Sequence, residues 1–521
     1  MADSWYLSFD LSTQTLKALV INDDLVVIKE CVVNFDKDLP EFDTHGGVHQ
    51  NDLEATCPVL LWVKAVDVIL SKLSQDNFEF CQVKGVSGTG QQHGSVYWKR
   101  GANNVLRSLN ETQTIAEQLQ NQFTVKDSPI WMDSSTGSEC MNLEKAIGGP
   151  EKLAKITGSR AYERFTGNQI SKIYKKNEKS YNQCERISLV SSFVASLFIG
   201  DYAPIDFSDG SGMNLLNIVD KKWDSVLAEA CAPGLPDKLG TPVASNTNIG
   251  KISQYMIKRY GFASNCTVTA FTGDNPSSLA GMRLHKGDVA VSLGTSDTLI
   301  FWLEEPRPSL IGHVFVNPVN ENSYMALLCY KNGSLTREKI KDLSVKGSWE
   351  DFNKALQNTP PGNNGNIGVY FIDQEIIPNA RGIYRWNSDD KVVDSFSPDT
   401  EVRAMIEGQF IAKKIHAEKL GFHLDQNSRI LATGGASKNP EILQILCDVF
   451  CCSVYAITDT ANSACLGGNY RAKHALSTNA FFDETVQNAA PYCLVASPNK
   501  DSQKIYGELC QRYAKLECLL K

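Results

Sequence analysis

The chain has no apolar run long enough to cross a bilayer: the longest, residues 187–199, contains four serines and falls short of the ~20 residues a membrane helix needs. That run is expected to be a buried core helix. The opening MADSWYLSFD has no basic stretch followed by an apolar segment, so no secretory signal is visible and a cytoplasmic location is expected. Positive charge is not in excess either. With 51 Lys and Arg against 59 Asp and Glu, the net charge is -8, which argues against a broad nucleic-acid surface but leaves room for a local basic pocket for phosphate. No CxxC occurs among the 15 cysteines, whose tightest pair is Cys451 and Cys452; buried reduced thiols are expected rather than a zinc site or a regular disulfide framework. His45 and His49 have no third ligand nearby and read as part of a solvated loop. A Walker A sequence and a dinucleotide G-x-G-x-x-G are both missing, so those nucleotide folds lose support.

At 521 residues the chain exceeds what one hydrophobic core usually organises, and two large domains are expected. Strand-like segments at 5–10, 16–21 and 25–33 surround a polar turn at 12–14. Residues 58–73 carry apolar side chains at helical spacing, and 83–86 return to a strand, the alternation of an α/β domain. The opening then recurs. Residues 288–293 (DVAVSL) are strand-like, 294–297 (GTSD) form a hydroxyl-bearing turn, and 298–303 (TLIFWL) are strand-like again. A long helix at 401–420, a strand at 429–433 entering Gly434 and Gly435, and a helix over 439–450 with Pro440 in its first turn complete a second α/β domain. The expected domains are 1–283 and 284–521, with insertions at 103–133 and 331–366.

A strand ending in Asp10 and followed by Ser12 and Thr13 puts a carboxylate and two hydroxyls beside turn N–H groups, a set suited to phosphate and magnesium. Alone, such a turn also forms for local reasons, since Asp and Ser are common turn residues. Repetition raises its weight: Gly294, Thr295, Ser296 and Asp297 make a second such turn, and two hairpins that each open an α/β domain suggest a duplicated fold closing on a nucleotide. TGGASKN, residues 433–439, lies between strand and helix, where glycines permit close backbone approach and the helix N-terminus attracts a polar ligand. Asp274 in FTGDNP either accepts a hydroxyl proton or, with Asn275, only makes the turn before Pro276; both readings stand. His93 in GQQHG and Arg164 in AYERFTG are the remaining candidates, and a glycine-flanked histidine after a strand has a structural reading too.

In order, DLSTQTLK, GGVHQND, SGTGQQHG, WMDSS, FTGDN, SLGTSDTL and TGGASKN closely resemble the motifs of the FGGY carbohydrate kinases, over essentially the whole chain. The resemblance implies an α/β fold of two ribonuclease H-like domains, of the actin and sugar-kinase superfamily, with the active site in the cleft between them. It implies that 1–283 binds mainly sugar and 284–521 mainly ATP. The expected reaction is ATP-dependent phosphorylation of D-xylulose to D-xylulose 5-phosphate with Mg²⁺. Alternatives are another kinase of the family, for ribulose, glycerol or a related polyol, and a non-catalytic sugar or nucleotide sensor. Carried over by position, His93, Arg164, Asp274 and Asn275 resemble the sugar contacts, with Asp274 as general base. Asp10 resembles the magnesium residue, and Ser12, Thr13, Gly294 and Thr295 the phosphate elements. Gly435, Ala436 and Asn439 resemble the nucleotide contacts, with Trp349 over the adenine. The ketopentose rests on Gln92 and His93, where glycerol kinases of the family carry an Arg-Glu pair. Two departures stand out. His49 replaces an acidic residue of many members, and Ser134 and Ser135 stand where many have an arginine after the WMD tripeptide that ends in Asp133. Arg164 is the candidate to supply the missing donor. The expected partners are the sugar and ATP, with no nucleic acid and no membrane, for a monomer or homodimer.

Overall fold

The segment WYLSFDL is buried along almost its whole length, and a run of this kind belongs in the middle of a sheet covered on both faces. The computed structural model, which describes residues 4–424, 428–456, 462–478 and 481–520, places it there as β1 (Trp5–Leu11). β2 (Thr15–Ile21) and β3 (Val27–Asn34) follow as antiparallel neighbours. α1 (Val59–Gln75) buries Trp62, Val66, Ile69, Leu70 and Leu73, the face expected from their spacing. It leads to β4 (Val83–Gly90), parallel to β1 on its other side. α2 (Val190–Ile199) packs on β4. β5 (Asn248–Lys251), β6 (Thr267–Thr269) and the short β7 (Thr272–Gly273) complete the sheet, in the order β5-β6-β4-β1-β2-β3 with β7 also paired to β4. α3 (Asp274–Gly281) leaves directly from β7.

The second sheet repeats this plan. β8 (Val289–Leu293) and β9 (Asp297–Leu303) form a hairpin, and β10 (His313–Val316) and β11 (Tyr324–Tyr330) extend it antiparallel. β12 (Ile430–Thr433) and β13 (Val454–Ala456) lie parallel on the far side of β8, followed by antiparallel β14 (Cys493–Ala496). The order is β10-β11-β9-β8-β12-β13-β14. The run β11-β9-β8-β12-β13 matches β3-β2-β1-β4-β6 strand for strand, so the two hairpins open two ribonuclease H-like units. α4 (Ser334–Val345), α5 (Trp349–Asn358), the long α6 (Pro398–Lys419), α7 (Pro440–Phe450), α8 (Ser463–Leu476) and α9 (Ser502–Glu517) complete the second half.

α8 packs on the first sheet although it comes late in the chain. Asn469 donates to the carbonyls of Tyr6 at 2.7 Å and Leu19 at 3.0 Å. The buried Arg471 donates to those of Ser245, Ala270 and Gly88 at 2.7–2.9 Å. α8 crosses α3 where a side chain cannot fit: a Cβ on Gly467 would lie 1.9 Å from the Ser277 carbonyl oxygen. A mixed apolar cluster, with Tyr6, Phe165 and Leu279 from one half and Ala290, Ile300 and Phe315 from the other, joins the two sheets.

Some local expectations change. In the run 187–199 the first three residues end a strand, Cys184–Leu189, that pairs with Ser95–Lys99; only Val190–Ile199 is helical. The strand holds through its backbone ladder to Ser95–Lys99, and across it Ser188 Oγ accepts from the Trp98 indole at 3.0 Å. Residues 331–366 fold largely into α4 and α5. Cys81, Cys493 and Cys518 are exposed, while just past α7 Cys451 is half-buried and the buried Cys452 thiol donates to Ser428 O at 3.0 Å. Among the described residues, no helix is long and apolar enough to cross a membrane.

Candidate active site

In parallel α/β sheets, ligands gather at the carboxyl ends of the strands, and both sheets place their polar turns there. Asp10 is opposite Thr89 and Gly273 opposite Gly90, so Asp10 and Asp274 stand at the ends of strands on either side of β4. The β1–β2 turn is closed by Ser12 N–H donating to Thr15 O at 3.0 Å. Asp10 is buried, and its Oδ1 has no hydrogen-bond partner. Burial, then the charge of Asp274, push its carboxyl up to about 7, against the pull of Lys17. Asp274 opens α3 and keeps a solvent-facing edge. The protein around it raises its carboxyl to about 6, although Asn275 donates to Oδ1 from its backbone at 2.8 Å and its side chain at 3.0 Å. A buried carboxylate with an unsatisfied oxygen, beside a second carboxylate, suits a hard divalent cation that retains water and phosphate oxygens as its other ligands.

Around Asp274 the first domain arranges neutral hydrogen-bonding groups. The Asn275 amide also donates to Gln92 Oε1 at 3.0 Å, and Gln92 Nε2 donates to Asp209 Oδ1 at 3.4 Å. Asp209 accepts from Ser191 at 2.6 Å, and burial followed by the charge of Asp206 raises its carboxyl well above the usual range. The chain Ser191–Asp209–Gln92–Asn275 therefore fixes the amide beside the Asp274 carboxylate. His93 has a left-handed backbone, φ 73°, uncommon for a residue with a side chain. Its Nδ1–H donates to Gly212 O at 2.8 Å and its ring stacks on Phe165 at 4.5 Å. Burial, then the charge of Arg164, lower its pKa to about 3, so Nε2 is an acceptor for a hydroxyl.

Asp133 is turned into the protein. It accepts from Ser135 Oγ at 2.6 Å, Gln169 at 2.8 Å and Lys172 at 3.1 Å. Lys172 also reaches Ser135 Oγ at 2.8 Å, so a lysine and two serines occupy this strip. His49 is exposed, with Nε2 2.9 Å from Phe42 O, and His45 bridges to Val48.

The second domain holds a cleft of about 600 Å³ lined by Gly294, Thr295, Trp349, Gly435, Ala436 and Asn439, bringing together six residues expected on the nucleotide. Gly434, at φ 84°, is required: a Cβ there would lie 2.6 Å from Leu293 O, and this contact lays the TGGAS loop on the end of β8. Asn439 caps α7, accepting from Glu441 N at 3.0 Å and Ile442 N at 3.2 Å. Trp349 begins α5 with 42% of its surface exposed, which leaves an aromatic wall; Phe352 packs at 5.1 Å and the Lys341 ammonium sits 5.0 Å from the ring. Ser12 and Thr13 do not line this cleft. They belong to the opposite turn, where Thr13 Oγ1 accepts from the Trp131 indole at 2.9 Å.

Asp297 behaves unlike Asp10. Arg337 grips it through two hydrogen bonds of 2.8 and 2.9 Å, and Lys413 adds a third at 3.0 Å, all fully buried. Its carboxyl is held below the ordinary value: burial, the first influence, raises it, and the lysine and arginine outweigh that. Arg337 and Lys413, 40 or more residues downstream of Asp297, carry no local motif that marks them.

The family model described as the FGGY family of carbohydrate kinases, N-terminal domain, matches residues 120–281, and the C-terminal domain model of that family matches residues 289–476. A xylulose kinase of Rattus norvegicus is 56% identical over 515 residues, covering 98% of this chain and 96% of that protein. Xylulose kinase 2 of Arabidopsis thaliana is 49% identical over 493 residues, covering 92% and 88%. The crystal structure of a xylulose kinase from Rhodospirillum rubrum superposes with a TM-score of 0.82 over 99% of this chain and 98% of that one, at 14% identity, a likeness of fold.

Proposed function

We infer the function from one premise: the chain belongs to the FGGY family of carbohydrate kinases. It is an ATP-dependent sugar kinase, and the acceptor is D-xylulose, giving D-xylulose 5-phosphate and ADP. The observation that carries the chemistry is the pair Asp10 and Asp274, two raised carboxyl groups at strand ends on either side of β4, with the neutral amides of Gln92 and Asn275 hydrogen-bonded beside Asp274. Neutral donors and acceptors suit a polyhydroxylated, uncharged acceptor. The cytoplasm is the compartment proposed for the reaction, with 1–283 as the sugar-binding domain and 284–521 as the ATP-binding domain.

In the proposed reaction Asp274 accepts the proton of the terminal sugar hydroxyl as that oxygen bonds to the γ-phosphorus. The bond from γ-phosphorus to the β,γ-bridging oxygen breaks, and ADP leaves with that electron pair. A base poised near 6 is ionised at neutral pH yet basic enough to take the proton. Asp10, with its orphaned oxygen, is the residue to hold Mg²⁺, which when bound neutralises developing phosphate charge. Gly294 and Thr295 face the phosphates from the other turn, Ser12 and Thr13 from the first, while Gly435, Ala436, Asn439 and Trp349 hold the nucleoside. Closing the cleft aligns the reactants and excludes water that would otherwise take the phosphoryl group.

The test is mass-spectrometric detection of a phosphopentose after incubation with Mg-ATP and a panel of D-xylulose, D-ribulose, glycerol and related polyols. Phosphorylation with D-xylulose preferred is the expected result. Preference for another acceptor overturns the substrate assignment, and ATP turnover without any phosphorylated sugar overturns the kinase mechanism.

A further inference from the structure

Arg164 is half-buried, lies over Tyr162 at 5.1 Å and Phe165 at 5.8 Å, and has no carboxylate within ion-pair distance among the described residues. Among the described residues its one hydrogen bond goes to a histidine from the other half of the chain: Nη2 donates to His313 Nε2 at 2.8 Å. Because a guanidinium only donates, Nε2 of that ring must be unprotonated. The proton then sits on Nδ1, which donates to Ser159 Oγ at 3.1 Å. Burial and the charge of Arg164 hold His313 well below its ordinary pKa, in keeping with this tautomer. Tyr162 meets the ring edge-on at 4.6 Å and Phe315 lies parallel to it at 5.8 Å.

β10, which carries His313, is pinned to the sugar-side domain. Val314 N–H donates to Gly158 O at 2.9 Å, Ser208 Oγ donates to Val316 O at 2.7 Å, and Val316 N–H donates to Ser211 Oγ at 3.2 Å. A Cβ on Gly158 would lie 1.9 Å from Val314 O, so the approach is as close as backbone allows. The edge strand of the ATP-side sheet thus has a fixed place beside the Arg164 loop.

We propose that His313 is a positioning residue for the sugar, aiming the Arg164 guanidinium at the acceptor so that the ATP-side sheet completes the sugar site. This rests on the reading of Arg164 as a sugar contact. The choice of partner follows from chemistry. A carboxylate would cancel the charge and compete with sugar hydroxyls for the N–H groups, whereas a neutral imidazole takes one N–H and leaves the charge and the remaining donors for hydroxyl oxygens.

Two polar substitutions of one position separate positioning from bulk. His313→Gln keeps an acceptor where Nε2 stands, while His313→Asn keeps only a group near Nδ1. Steady-state kinetics should show His313→Asn raising the KM for D-xylulose about tenfold, the scale of a lost hydrogen bond to a charged group. The KM for ATP and kcat should stay within about twofold, since the lost contact concerns sugar binding. His313→Gln should restore the sugar KM. Arg164→Ala should raise it at least as much, and the double variant Arg164→Ala/His313→Asn should be no worse than Arg164→Ala alone. If Arg164→Ala raises the sugar KM and His313→Asn does not, or if the two effects add in full, the positioning role is wrong. If Gln and Asn fail equally with the same fall in Tm, the role is structural and the proposal is overturned. An unchanged sugar KM in Arg164→Ala would instead remove Arg164 from the sugar site, and the proposal with it.

Discussion

Asp10 and Asp297 each sit in a hydroxyl-bearing hairpin at the opening of a repeated sheet, yet the protein treats them in opposite ways. Asp297 is paired with Arg337 and Lys413 and held below its ordinary pKa. Asp10 has an oxygen without a partner, faces the field of Asp274, and is raised to about 7. The strands differ as well: Asp10 lies in the first strand of its hairpin, Asp297 begins the second strand of its own. A carboxylate already neutralised by buried cations braces the turn. One left short of partners, at a cost to the unliganded fold, is the one we propose to hold a ligand.

Four perturbations can break or sharpen this contrast. The largest effect is expected at the base: Asp274→Ala should lower kcat by ~10²- to 10⁴-fold while sugar binding, followed by calorimetry, largely survives; near-normal turnover would remove the base. Next, Asp297→Ala should destabilise the fold by about 3 to 5 kcal/mol in denaturant unfolding, because it leaves Arg337 and Lys413 buried without a counter-charge. A loss of activity with unchanged stability would make the second carboxylate functional and erase the contrast. Third, kcat/KM for D-xylulose should fall as pH drops through about 6, as Asp274 takes up its proton, a limb that a pH profile of Asp274→Ala should lack. The smallest effect belongs to the cleft wall, where Trp349→Ala should raise the KM for ATP by a few-fold, roughly the worth of one partly exposed aromatic contact, with the sugar KM unchanged.

Much of the fold was legible because its signals are local. The continuous apolar run of β1, the polar break at Ser12 and Thr13, the recurrence of both at 288–303, and Pro440 after the glycine pair each announce an element within a few residues. That the residues proposed for the nucleotide would share one cleft was legible for the same reason, since Gly294, Thr295, Gly435, Ala436 and Asn439 lie in two short motifs that strand pairing brings together, with Trp349 supplied by α5. What escaped depends on long-range pairing. Nothing near Asp297 marks Arg337 or Lys413 as its partners, so the two turns looked alike. The return of α8 to the first sheet, through Asn469 and Arg471, and the meeting of Arg164 with His313 across 149 residues, have no signature within either segment. The sequence singles out Gln92 as a residue expected to bear on the choice of sugar, but its link through Asp209 to Ser191 exists only in the folded chain.

The claim that Asp10 serves a ligand rather than the fold is tested most directly by thermal unfolding of Asp10→Asn against the wild type at pH 8 without Mg²⁺. Because the folded-state pKa of Asp10 is raised, the stability its neutral form contributes is present below about pH 4 and is lost as pH rises through about 7. The asparagine variant should therefore melt above the wild type at pH 8, by on the order of a few kcal/mol in stability, with the gap closing toward pH 4. A variant that melts below the wild type at pH 8 would contradict the account.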